Sequence, residues 1–382
     1  MIRRRRLLAI AVVLAFLAGV AVAASDDDPG RRGRPAAAGA TPAAAPGAAH
    51  APALAAPGGA ATANLRPGSD PSVLPGPVLI ADRDNNRLLE VSPEGRVLWR
   101  FPAAGAASAA SGAGFRVPDD AFFSADGRQL VATQEDDQAI SVIDLASSRI
   151  VYRYGHPGEA GVEAGYVHNP DDALLMPSGE ILTADIMNCR LLVIRPPRHR
   201  PVRQIGTTGV CEHQPAAFGS PNGAFPMSGG KTVVTEINGN WVDVLAPGGR
   251  RLLSTHPPGF SYPSDTNEVS PGVLLSVDYA TPGAIETFTT GGRLLWRYAP
   301  GGSTALDHPS LALPLPNGDV LANDDRNHRV IVVDPRTDRV VWQYGHTAVP
   351  GSADGYLNNP DGVDLAPPHS LAARFAPTLH AP

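Results

Sequence analysis

Short oxygen-bearing residues recur directly behind prolines in this chain. Asp119 and Asp120 follow Pro118, Asp171 and Asp172 follow Pro170, and Asn222 follows Pro221. Ser264 and Asp265 follow Pro263, Ser310 follows Pro309, and Asp361 follows Pro360. If the fold brings these positions to one point, two kinds of chemistry open. Converging oxygens bind Ca²⁺ or another divalent cation, and Asp120, Asp172, Asn222, Asp265 and Asp361 are the expected ligands. Crowded carboxylates also raise one another's pKa, which would supply a general base. The competing reading is that each Asp caps its own turn and stays solvated.

A second set lies in two matching segments. Tyr154-Gly155-His156 leads to Gly165-Tyr166-Val167-His168-Asn169-Pro170-Asp171, and Tyr344-Gly345-His346 leads to Gly355-Tyr356-Leu357-Asn358-Asn359-Pro360-Asp361, offset by 190 residues throughout. His156, Tyr166, His168, His346 and Tyr356, together with His308, are candidates for gripping a ligand at a channel, against the alternative that they only brace loops. The chain has two cysteines, Cys189 and Cys211. In an oxidising compartment they are expected to pair; a metal site from Cys211 and His213 with Cys189 would lack a fourth ligand. No Gly-x-Ser-x-Gly nucleophile motif is present.

The elements that must position these groups form a repeat. Each unit opens with the Pro and its polar neighbour, then runs strand, Gly turn, strand ending in an acid, turn, strand, and a last strand carrying an aromatic. Units begin at Pro118, Pro170, Pro221, Pro263 and Pro309, at intervals of 52, 51, 42 and 46 residues. Asp-x-x-Asn-x-Arg recurs at Asp82/Asn85/Arg87, Asp185/Asn188/Arg190 and Asp324/Asn327/Arg329. It is expected to be a tight turn whose side chains bond local backbone amides. The aromatic of Arg96–Trp99, Arg149–Tyr152, Arg293–Trp296 and Arg339–Trp342 is expected to pack between neighbouring units. The first unit, from Val78, lacks its opening strand, and Asn359–Leu365 supplies one at the other end of the chain. The fold class is therefore all-β, a six-bladed β-propeller of four-stranded antiparallel blades, closed by pairing the N- and C-terminal strands. Alternating strand direction puts the second turn of every blade and the long connectors on one face, where binding is expected.

The rest of the chain sets the context. Arg3–Arg6 followed by an apolar run to residue 24 reads as an export signal or membrane anchor over residues 1–24. The Ala/Pro/Gly-rich stretch 25–72 reads as an unstructured tether, 73–368 as the propeller and 369–382 as a tail. With a net charge of −6 and no basic stripe beyond the first six residues, no nucleic-acid partner is expected, and a membrane is expected only through the N-terminal segment.

Units such as Asn169-Pro170-Asp171-Asp172, Pro177-Ser178-Gly179-Glu180 and Ile181-Leu182-Thr183-Ala184-Asp185 resemble those of the NHL-repeat propellers over roughly residues 77–367. The Trp-bearing strands look like those of quinoprotein propellers. His168–Leu182 and His308–Leu321 resemble segments of arylsulfotransferase propellers. The expectation is a monomeric, secreted or surface-tethered propeller binding a small molecule, glycan or protein on its long-loop face. Its rivals are a metal-assisted lyase or hydrolase using channel carboxylates with His168 or His308, and an arylsulfotransferase-like enzyme.

Overall fold

The computed structural model describes residues 64–368. The export segment, residues 25–63 of the tether and the tail from 369 lie outside the described residues. Among the described residues no helix is long and apolar enough to cross a membrane.

Six four-stranded antiparallel sheets follow one another as blades. Blade one takes its innermost strand, Pro360–Leu365, from the end of the chain and continues with Val78–Asp82, Arg87–Val91 and Val97–Phe101. In the closing pair Val78 faces Leu365, Ile80 faces Val363 and Ala81 faces Gly362. The innermost strands of blades two to six are Ala121–Phe123, Pro170–Leu175, Pro221–Pro226, Pro263–Ser270 and Ala312–Pro314.

The core lies between blades, because successive side chains of a strand point to opposite faces. Leu79 and Leu88 of blade one pack with Leu130 and Ile143 of blade two, while Val78, Ile80 and Leu89 pack with Leu321 and Val330 of blade six. The outer aromatics fasten these seams as expected from sequence. Trp99 Nε1 donates to Ser148 Oγ (3.0 Å), Trp342 Nε1 to the Pro93 carbonyl (2.8 Å), Trp296 Nε1 to Asp338 (2.9 Å) and Tyr152 Oη to the Arg198 carbonyl (2.6 Å). Each partner belongs to the following blade, so burial and a satisfied polar tip coincide.

The propeller starts earlier than its composition suggests. Residues 64–72, read as tether, lie along the outer strand of blade six. Leu65 bridges Tyr344, the Arg66 N–H donates to the Gln343 carbonyl (3.1 Å) and the Asp70 N–H to the Val341 carbonyl (2.8 Å). An open sheet edge binds any chain able to satisfy its N–H and C=O groups, and that backbone demand leaves no mark on composition.

The Asp-x-x-Asn-x-Arg turns also do more than expected. Asp82 accepts from Asn85 Nδ2 (2.8 Å) and Arg87 Nε (2.6 Å), and its other oxygen accepts the Asn358 N–H (2.7 Å) of the incoming connector. Asp185 holds the His168 N–H and Asp324 the Asp307 N–H in the same way, both at 2.7 Å. Burial pushes all three carboxyls upward despite these partners. The motif is a latch between blades one, three and six and the connectors that enter them.

Candidate functional site at the axial mouth

Two repeat columns build the mouth of the channel on the connector face. One is the strand-opening set seen in the sequence. Entry to these strands passes through a left-handed residue before the proline at Val117, Asn169, Ser220, His308 and Asn359. Register shifts then occur at Asp171/Ala173, Pro221/Ala224 and Pro263/Thr266. Such bulges re-aim side chains, which lets neighbours such as Asp171 and Asp172 both serve the axis. The second column was not foreseen. It is the residue after the end of each second strand, where an acid stands in five blades and Gln134 in blade two, namely Arg83, Glu135, Ile186, Ile237, Tyr279 and Asp325. The only sequence signal for it is variability inside an otherwise regular turn.

Arg83 is the cation of the upper layer. It pairs with Glu135 and Asp136 (both 2.8 Å), Asp361 (2.7 Å) and Asp119. Burial opposes its charge, but Asp361, Glu135 and Asp136 more than offset that and hold the guanidinium protonated. Burial pushes Glu135 up to about 7, with Arg83 acting against it. An aromatic wall stands beside these charges. Tyr262 and Tyr279 lie 5.4 Å apart, Tyr279 meets His308 edge-on at 4.8 Å, and His308 Nδ1 contacts Asp307 at 2.5 Å. Burial raises both phenols and lowers His308.

Beneath this layer, one carboxylate oxygen each from Asp120, Asp172 and Asp265 lies within 4.8 Å of the others. All three residues are buried, and each has one oxygen with no hydrogen-bond partner. Burial first, then their mutual repulsion, raises Asp120 and Asp172 well above the usual carboxylate range. Asp265 is raised by burial and by Asp171, which burial itself pushes up to about 6.

The structure thus gathers three of the five expected cation ligands. Asp361 is engaged by Arg83, and Asn222 Nδ2 donates to Ser264 Oγ (3.0 Å). The connector pairs stand elsewhere. His156 stacks on Tyr166 (4.0 Å) and His346 on Tyr356 (4.2 Å), each within its own connector. Arg190 and Arg87 hold those connectors through the Val162, Ser352 and Tyr356 carbonyls, over the third strands of blades three and one and away from the axis. Of the histidines singled out, His308 reaches the axial wall, and His168 gives its backbone N–H to Asp185.

Cys189 and Cys211 form a disulfide with Cα atoms 5.1 Å apart, so neither sulfur is available to a metal. Its place in the repeat explains it. A left-handed residue ends the second turn in five blades, and in several it reaches the connector of the next blade. Asn86 accepts the Val117 N–H (2.9 Å), Gln138 accepts the Asn169 N–H (2.7 Å), and His328 Nδ1 accepts the Asn359 N–H (3.0 Å). Cys189 occupies the same column, and the disulfide is the covalent form of this bridge. Breaking it, by reduction or by Cys189→Ser with Cys211→Ser, should lower stability by about 3 kcal/mol through the entropy of a 22-residue loop. Urea unfolding with and without reductant measures this; coincident curves would refute it.

A second acidic group, His213, Glu236 and Asp243, already holds a cation. Arg251 Nη2 pairs with Glu236 (2.9 Å) and its Nε with Asp243.

No protein-family model matches the chain, and no curated protein sequence matches it. Among solved structures, a protein of unknown function from Bacteroides caccae superposes with a TM-score of 0.53 at 15% identity, covering 76% of this chain and 98% of that one. A chain of a nidogen/laminin complex gives 0.52 at 15% identity, covering 77% and 99%. Catalytically inactive virginiamycin B lyase from Staphylococcus aureus gives 0.47 at 14% identity, covering 73% and 86%. Likeness at these identities establishes fold and nothing about substrate. The fold and the mouth define a six-bladed propeller with a charged axial site. The resemblance to NHL-repeat propellers rests on the repeat units alone.

Proposed function

We propose that this protein is an exported or surface-tethered binding propeller whose recognition centre is the axial mouth on the connector face. The observation that carries the reading is convergence. Arg83, Asp119, Glu135, Asp136 and Asp361 gather beside Tyr262, Tyr279 and His308, contributed by four of the six blades. Carboxylates accept hydrogen bonds and aromatic faces stack on the apolar faces of sugars or on cations, so the mouth suits a small molecule or glycan rich in hydroxyl or ammonium groups. Export is supported by the N-terminal arginine-plus-apolar segment and by a disulfide, which persists in oxidising compartments.

Screening glycans and amines by saturation-transfer NMR tests this. A ligand found in this way should bind at least about tenfold more weakly to Tyr279→Ala, the cost of one lost aromatic contact. Binding to Tyr166→Ala and Tyr356→Ala should be unchanged. Loss confined to the latter two variants would move the site to the connectors and overturn the proposal.

A further inference from the structure

We propose that Asp120, Asp172 and Asp265 form a site for one hard divalent cation, Ca²⁺ or an ion of similar hardness, sealed beneath the Arg83 layer. Four observations support it. The first is spacing, since oxygens on opposite sides of a Ca²⁺ ion stand about 4.6–5.2 Å apart and the three carboxylates fall within 4.8 Å.

The second is the state of those oxygens. Asp120 Oδ1, Asp172 Oδ1 and Asp265 Oδ1 are buried without a partner, on residues exposed by 4%, 0% and 2%. Asp172 Oδ2 accepts the Ala224 N–H (3.3 Å), yet no counter-charge meets the three carboxylates, and a buried unpaired charge costs several kcal/mol, so buried charges are paired or coordinate metals.

The third is the contrast with the other acidic groups. The upper layer has Arg83 and the Glu236/Asp243 group has Arg251, whereas the triad is in no ion pair among the described residues. The last is the space kept for it. The same strand position in blades four and one is glycine, and a β-carbon at Gly223 would run into Asp265 Oδ1 and Asp172 Oδ2. One at Gly362 would run into Asp120 Oδ1. Of the six strand openings three therefore carry carboxylates and two leave room for them, with Leu311 as the remaining wall. An all-oxygen donor set selects Ca²⁺, Mg²⁺ or Mn²⁺ over softer ions, and water would complete the shell.

The site does not depend on what binds above it. The test uses metal alone on the purified protein. Elemental analysis of material never exposed to chelator should find about one such ion per chain. After chelation, 1 mM Ca²⁺, Mg²⁺ or Mn²⁺ should restore the melting temperature by about 5 °C or more for at least one of them. Asp172→Asn and Asp265→Asn should abolish that response while melting no lower than the metal-free parent, because each removes a repelling charge. Gly223→Ala should weaken binding at least about tenfold by filling the space between the two oxygens. Absence of bound ion together with no response to any of the three would overturn the proposal. A response that survives in both Asn variants would overturn it equally.

Discussion

A chain ending at residue 355 should fail to give a stable monomer, whereas one ending at 368 should unfold cooperatively like the full protein. The shorter chain loses Pro360–Leu365, and with it the inner partner of Val78–Asp82, a strand buried along its whole length. Val78, Ile80 and Val363 are fully buried in the cluster joining blades one and six. Exposing each costs about 1.5–3 kcal/mol, and together these approach the 5–15 kcal/mol that stabilises a whole domain. Asp361 leaves Arg83 with one fewer partner, and the freed edge offers unpaired backbone groups for aggregation. Solubility, size-exclusion chromatography and thermal melting of the two chains decide it. Equal melting of both would show that ring closure contributes little.

Replacing Arg83 by Met should destabilise the protein by about 3–5 kcal/mol at pH 8, the usual cost of leaving buried charges without their partner. The deficit should shrink by pH 5. The groups facing Arg83 are Asp119, Glu135, Asp136 and Asp361, with Asp84 beside it on the same turn and Asp171 below. Glu135 and Asp171 titrate in the folded protein near about 7 and about 6, both raised by burial, against roughly 4 for unfolded carboxyls. Between those limits the folded state holds protons that the unfolded state has released, so stability falls as pH rises through the window. Removing the guanidinium raises the folded values further and steepens that fall. Urea denaturation of parent and variant at both pH values measures it. A deficit independent of pH would mean that Arg83 acts through packing alone.

Much of this molecule is legible in its sequence because repetition reports on backbone geometry. The recurring Pro-polar openings and Gly turns impose strand lengths. A first unit lacking its opening strand, with a spare one at Asn359–Leu365, imposes closure. Two cysteines behind an expected export signal imply their bond. The same local regularity shows that Asp120, Asp172 and Asp265 occupy equivalent positions, since equivalence in a ring means a shared axis.

Only the tertiary structure decides which equivalent residues meet. Asp361 shares the strand-opening pattern, yet it pairs with Arg83 because blade one alone places arginine in the adjacent turn column. His156, Tyr166, His346 and Tyr356 sit in connectors as their spacing implies. Those connectors are carried outward by Arg87 and Arg190, whose carbonyl partners are 265 and 28 residues or more away, and a bond to a backbone carbonyl leaves no side-chain signature in the sequence.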